Sequence, residues 1–361
     1  MKKYQLFLNY NFRDEHQNTA SIKPIQDSAS IAEKYGYSYI IIDTNLFYLY
    51  YQLFAYISFK RRLKKRLSEL KKGDIVLIQY PIFSTYRFDN TLKFILSYFK
   101  KRGIYSIALI HDVENLRNFD VVKLRKEVCI LNNFNSIIIH NDKMKDILKE
   151  YGLNQDINLL NVFDYLIDNK EEDLLELKNP IAEQYVSVVF AGNLNKSSFV
   201  NDLGKIKNVE FELFGNGYKN SQKSDNVNYH GSLSPLELNK EMSQYHYGLV
   251  WDGISIEKLD DSENFSRYMK YNNPFKLSSY ISAGIPIITS KDAGIAKFVT
   301  ENNIGIVVGS LIELENRNLY HDFDVQKRNI SLLKSRLNNG EVLGAILEKI
   351  QEKFISNFKN N

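Results

Sequence analysis

Apolar runs of strand length recur along this chain with helical patterns between them, and no other feature narrows its possible folds so far. In the first half the runs are YQLFLNY, YSYIIID, DIVLIQY, IYSIALI, NSIIIH and INLLNV, separated by helical stretches at 26–35, 46–71, 90–102, 120–132 and 141–150. In the second half they are YVSVVFA, VEFELF, VNYH, YGLVW, IPIIT and IGIVV. Strands apolar at every position are covered on both faces, the environment of a parallel sheet with helices on either side. Between the two blocks, IDNKEEDLLELKNPIAEQY is acidic, weakly periodic and interrupted by a proline, so 166–184 reads as a linker. The expected class is α/β: two doubly wound Rossmann-like domains, 1–165 and 185–340, facing a cleft. The tail reads as two helices broken at Asn339–Gly340, the last at 341–361.

A length of 361 residues, 44% hydrophobic and 25% charged, suits two globular domains. The single cysteine, Cys129 in VCILNN, excludes a disulfide framework, reads as a small core residue and fits a reducing cytosol. The start, MKKYQLFLNYNF, is too polar after its basic pair for a signal-peptide core. Net charge is +4, yet residues 60–72, KRRLKKRLSELKK, hold eight Lys/Arg against one Glu, hence +7, and the remainder sums to −3. The run follows LFYLYYQLFAYISF at 46–59, too short to span a bilayer. Segment 46–72 therefore reads either as one long helix or as a patch for a membrane surface or a partner. No nucleic-acid module accompanies the charge, so no nucleic-acid partner is expected.

The carboxyl ends of the strands carry the chemistry, as they do in open α/β sheets. After VSVVF comes AGNLNKSSF: Gly192 permits close backbone approach, Asn193 offers an amide, and Lys196 precedes a helix start at Ser197/Ser198. After VEFELF, Gly215-Asn216-Gly217 makes a turn against which a flat ring can lie. After YGLVW come Asp252 and Gly253. In YNNPFKLSSYISAGIPIITS, 271–290, Asn273 stands at the expected N-cap and Pro274 at the first helical position, so Lys276 falls in the first turn. A cation there opposes the helix dipole by about a few tenths of a kcal/mol. A bound diphosphate would make that lysine favourable, through charge-assisted bonds of roughly 1.5–3 kcal/mol each.

In the first half, IYSIALI ends in HDVENLR, 111–117, which places an imidazole, two carboxylates and a guanidinium at the cleft. Its bland reading is a helix cap; its functional reading is a general base, with Asp112 preferred to His111 and Glu114. Gln79, Tyr80 and Pro81 offer a wall for an acceptor. No metal is expected: the six histidines lack ligand spacing, and the literal Asp-x-Asp at 322–324 reads as an N-cap. Gly-x-x-x-x-Gly-Lys is absent, and no Gly-x-Gly-x-x-Gly follows the first strand, which removes the best supports for kinase and dehydrogenase readings.

FAGNLNKSSF, YHGSLSPLEL, GLVWDGIS, YNNPFKLSSYISAGIPII and HDVENLR together resemble a bacterial family of two-domain glycosyltransferases. It includes the second glucosyltransferase of serine-rich-repeat adhesins and the galactofuranosyltransferases of surface polysaccharides. The resemblance is strongest over 105–117 and 186–310 and weak over 1–75. It implies the GT-B fold, a nucleotide-sugar donor on the second domain, an acceptor on the first, and a last helix that crosses back to the first. It also implies that Asn193, Lys196, Tyr229, Asn273 and Lys276 are donor-site residues, with both lysines on the diphosphate and Asp252 and Tyr268 near the sugar. Metal independence and the absence of a cofactor other than the UDP-sugar donor follow from it too. The expected activity is cytosolic transfer of glucose, N-acetylglucosamine or galactofuranose to a glycan on a protein or a lipid carrier. A silent glycan-binding co-chaperone and a UDP-sugar epimerase are the rival readings, and a homo-oligomer is compatible with all three.

Overall fold

The computed structural model describes residues 1–8, 22–42, 53–82, 89–167, 185–219 and 224–359. Every apolar run named above forms a strand. The first sheet contains β1 (Lys3–Leu8), β2 (Tyr37–Ile42), β3 (Ile75–Tyr80), β4 (Tyr105–Ile110), β5 (Ser136–Ile139) and β6 (Asp156–Leu159), in the order β2-β1-β3-β4-β5-β6. The second contains β7 (Val186–Ala191), β8 (Val209–Phe214), β9 (Val227–Tyr229), β10 (Tyr247–Val250), β11 (Ile287–Ser290) and β12 (Gly305–Val308), ordered β12-β11-β10-β7-β8-β9. All strand pairs are parallel. The second order is that of dinucleotide-binding sheets, and it reverses direction between β7 and β10.

Around the first sheet lie α1 (Lys23–Lys34), α2 (Leu53–Leu67), α3 (Asp89–Arg102), α4 (Glu114–Arg117), α5 (Val121–Leu131) and α6 (Asp142–Glu150). The second carries a 3-10 helix (Ser198–Lys205), α7 (Pro235–Met242), α8 (Asn264–Met269), α9 (Phe275–Ala283), α10 (Ala296–Glu301), a second 3-10 helix (Leu311–Asn316) and α11 (Phe323–Asn338). The chain ends in α12 (Glu341–Lys359). Of the expected 46–71 helix, α2 supplies 53–67 and 68–71 fall after its end; 46–52 lie outside the described residues, as does 168–184 of the expected linker. Cys129 corrects a sequence expectation: the thiol is exposed, on the outer side of α5. Asp322 does occupy the N-cap position of α11, but its carboxylate makes no capping bond there and instead meets His321 Nδ1 at 2.9 Å.

One core fills the second sheet's faces, with Trp251, Tyr247 and Tyr280 among its largest fully buried side chains. The first sheet has a core on each face. One holds Phe59, Leu63 and Leu67 of α2 against Ile95, Leu96 and Phe99 of α3. The other is closed by α12, whose Leu343, Leu347 and Ile350 pack on Ile31, Tyr37, Leu77 and Ile107. At about 1.5–3 kcal/mol per large apolar side chain buried, these residues are what hold the last helix on the first domain. Asp164 fixes its start, accepting from Val342 N at 3.0 Å and Leu343 N at 2.8 Å. Gly340 makes the turn into α12 at φ +73°, where a Cβ would lie 2.6 Å from Ile31 Cγ1. Among the described residues, no helix is long and apolar enough to cross a membrane.

Candidate active site

Lys276 stands where two strand-end loops meet, at the reversal between β7 and β10. Leu277, Tyr280 and Ile281 fix the face that α9 buries, and Gly284 closes the helix at φ +79°. Pro274, not Asn273, is the N-cap residue, with φ −62° and ψ 137°, so Lys276 is the second residue of α9. Its ammonium donates to Trp251 O at 3.2 Å, lies 4.1 Å from the centre of the Phe190 ring and stands 3.8 Å from Asp252 Oδ2. Burial lowers its pKa and the Asp252 charge raises it in part. The lysine that looked misplaced in sequence thus has a carbonyl, an aromatic face and a carboxylate to offset the helix dipole.

Asp252 ties the two loops together. Its Oδ1 accepts from Ser197 Oγ at 3.0 Å and from Gly253 N at 3.2 Å. Ser197, buried and absent from the sequence-based list, has Asn193 O at 3.2 Å as a second acceptor for the same hydroxyl proton. Gly192 lies under the lysine: a Cβ there would sit 3.3 Å from Lys276 Cε. Asn193 Oδ1 accepts from Asn195 N at 3.1 Å, and exposed Lys196 reaches to 4.9 Å from the Phe265 ring.

Gly215 and Gly217 owe their freedom to packing. At φ +128°, a Cβ on Gly215 would lie 1.8 Å from Gly192 O, and one on Gly217 would meet the Asn195 side chain at 2.1 Å. Both glycines let the neighbouring loop approach closely. Tyr229, 44% exposed, donates to Gly215 O at 2.9 Å and rests 5.0 Å from the Tyr218 ring, so an aromatic face does border the turn.

Across the cleft, Asp112 and Tyr268 are brought together, a contact that no sequence pattern announced. The Tyr268 hydroxyl donates to Asp112 Oδ1 at 2.5 Å and accepts from Val113 N at 3.0 Å. Arg117 pairs with Asp112 Oδ2 and lies 5.2 Å from the Tyr268 ring centre. Burial pushes the Tyr268 phenol up to about 12, so it stays protonated and remains a donor. Beneath them, buried Glu127 accepts from Tyr80 OH at 2.8 Å and from Asn115 Nδ2 at 2.7 Å, which fixes the loop that carries Asp112. Glu127 was invisible in sequence because a carboxylate inside a helical pattern reads as solvated.

His111 and His140 are both held neutral. Gln79 Nε2 donates to Ile25 O, which turns its Oε1 toward His111 Nε2 at 2.6 Å and assigns the proton to that nitrogen. Burial, with the nearby His140, pushes His111 down to about 3; burial pushes His140 down to about 4. His140 Nε2 donates to Ile110 O at 3.0 Å, so its Nδ1 is the acceptor for Asn273 N at 2.9 Å. Asn273 spends its side chain on the same junction, donating to His140 O and accepting from Asn141 Nδ2, both at 2.7 Å. It is 3% exposed and clamps the two domains together. Among the described residues, no group of three or more His, Cys, Asp or Glu side chains is placed to hold a metal ion.

The family model for the glucosyltransferase 3-like C-terminal domain matches residues 188–350, and that for the N-terminal domain matches 5–170. The β-1,6-galactofuranosyltransferase WbbI of Escherichia coli (strain K12) is 30% identical over 301 residues, covering 80% of this chain and 82% of that one. Glucosyltransferase 3 of Streptococcus gordonii is 27% identical over 328 residues, 88% of this chain and 90% of its own. Among solved structures, Anabaena HepE in complex with UDP and glucose covers 98% of this chain and 100% of its own, with a TM-score of 0.57 and 14% identity. Sucrose-phosphate synthase from Thermosynechococcus elongatus covers 100% of both chains, with a TM-score of 0.58 and 11% identity. At such identities the structural likeness is one of fold, and that fold is GT-B. With the family models and the WbbI match, it makes this chain a GT-B glycosyltransferase of the glucosyltransferase 3-like family.

Proposed function

We propose that this protein transfers a hexosyl group from a UDP-sugar to a sugar on a growing glycan, on an adhesin or a surface polysaccharide. The observation that carries the reading is the Lys276 ammonium, held at the strand reversal of the nucleotide-binding-type sheet by Trp251 O, Phe190 and Asp252. Such a cation at a helix start, with Lys196 on the adjoining loop, matches the charge of a departing nucleoside diphosphate. The lysines thereby do the work that a divalent ion performs elsewhere, so the reaction needs none. Asp112 is the base for an inverting transfer: a carboxylate has about four lone-pair sites, and Tyr268 and Arg117 take one on each oxygen. The lone cysteine is consistent with a cytoplasmic setting.

The test is UDP release from UDP-glucose, UDP-N-acetylglucosamine, UDP-galactose and UDP-galactofuranose, each with and without glycan acceptor. Transfer requires release that depends on acceptor. Binding without release would mark a silent glycan binder, and sugar interconversion without release an epimerase.

A further inference from the structure

We infer that the outer face of α2 and α3 docks this protein on an anionic lipid bilayer, and that the acceptor glycan is carried there on a lipid. The inference rests on the transferase reading for its acceptor, but the docking face stands on its own observations. Phe59, Leu63 and Leu67 turn one stripe of α2 into the core. Arg61, Arg62, Lys64, Lys65 and Arg66 are all exposed on the rest of the helix. Helix α2 contains no acidic residue, and among the described residues only Arg66 of these five cations meets a carboxylate, Glu69 at 3.7 Å. Arg61 with Lys65 and Arg62 with Arg66 are like-charge i,i+4 pairs, which destabilise a helix. The dipole rewards cations in the last turn, but Arg61 and Arg62 stand in the helix interior. Neither the helix dipole nor a carboxylate among the described residues therefore accounts for their charge.

The neighbouring helix extends the same field. Lys60 Nζ lies 5.6 Å from the Phe94 ring of α3, and Arg102 donates to Leu70 O at 3.4 Å, so the two helices lie side by side. Helix α3 ends in exposed Lys100, Lys101 and Arg102. The exposed cations thus extend over two neighbouring helices, a field that complements a flat anionic surface. The sequence entering α2, LFYLYYQ at 46–52, has the apolar and aromatic composition of an interfacial segment. Because α2 connects parallel strands β2 and β3, it runs antiparallel to them. Its N-terminal end thus lies at the carboxyl ends of the strands, and the cations of its second half lie toward their amino ends.

The experiment is co-sedimentation of the full chain with vesicles of phosphatidylcholine alone or mixed with phosphatidylglycerol, at low and high salt. The expected result is binding to the mixed vesicles that high salt reverses. The combined variant Arg61→Gln, Arg62→Gln, Lys64→Gln and Lys65→Gln should lose about 10²-fold or more in partitioning. Its UDP release with a soluble glycan acceptor should stay at the wild-type level, which shows that the variant folds and that donor chemistry is intact. Its transfer to a lipid-linked acceptor in the vesicles should fall with binding. Equal binding to neutral vesicles, no binding at all, or capture by heparin or RNA in preference to the mixed vesicles would each overturn the inference. Salt-reversible vesicle binding by a wild-type protein that releases no UDP would support the docking face and count against the transferase reading alone.

Discussion

Asp112 holds two partners from opposite sides of the cleft, and separating its roles is a matter of single atoms. Asp112→Asn keeps the shape and a hydrogen-bonding oxygen but cannot accept a proton. Turnover should fall roughly 10²–10⁴-fold with UDP affinity unchanged; near-normal turnover in a steady-state assay would place the base elsewhere. Tyr268→Phe removes the hydroxyl that serves both Asp112 and Val113 N. It leaves a buried N–H unpaired, at a cost of about 1–3 kcal/mol that thermal unfolding would register. A variant as stable as wild type would mean that water replaces the phenol. At this scale the sequence was half legible. Residue types at strand ends singled out Asp112, Asp252 and Lys196, and a helix start singled out Lys276, because ligands in open α/β sheets gather there. The partners were not legible, since Tyr268 and Asp112 lie 156 positions apart and only tertiary packing joins them.

At the scale of elements, strands were read well and helix starts less so. The strands are apolar on both faces, so their composition alone separates them from helices. The start of α9 was misjudged by one residue because Asn273 has N-cap chemistry, but its capping oxygen is taken by Asn141 Nδ2. A cap that did not show in sequence, Asp164 on α12, gives a pH-dependent prediction. Burial raises the Asp164 carboxyl from 3.8 to about 7. A raised folded-state value means that its stabilising contribution is complete below 3.8 and is lost as pH rises through about 7. Asn at this position has no proton to lose. The stability of Asp164→Asn relative to wild type should therefore increase between about pH 5 and about pH 8, by up to about 1.4 kcal/mol per unit crossed. Denaturant titrations at both pH values check this, and a constant difference would show that Asp164 does not titrate in that range.

For the whole molecule, the two domains are locked near the hinge by His140, Asn141 and Asn273, with Lys143 Nζ donating to Asp292 O at 2.9 Å beside them. The family resemblance implies a donor-site role for Asn273, and its hydrogen bonds join the two domains. Asn273→Ala should cost about 1–3 kcal/mol of stability by stranding the Asn141 amide and the His140 carbonyl. It should change UDP affinity much less than removal of Lys276 does; an equal loss of affinity, measured by calorimetry, would restore the donor-site role. The architecture of two sheets was legible because it depends on repeating patterns. The relation between the domains was not, because it depends on a few buried polar contacts that look ordinary in sequence. The most direct test of the account is calorimetric titration of UDP, in excess EDTA, into the wild-type protein and Lys276→Met, which keeps apolar bulk over Phe190. The account predicts binding by the wild type without metal and a loss of about tenfold or more in the variant. Equal affinities, or wild-type binding that appears only when Mg²⁺ or Mn²⁺ is restored, would contradict it.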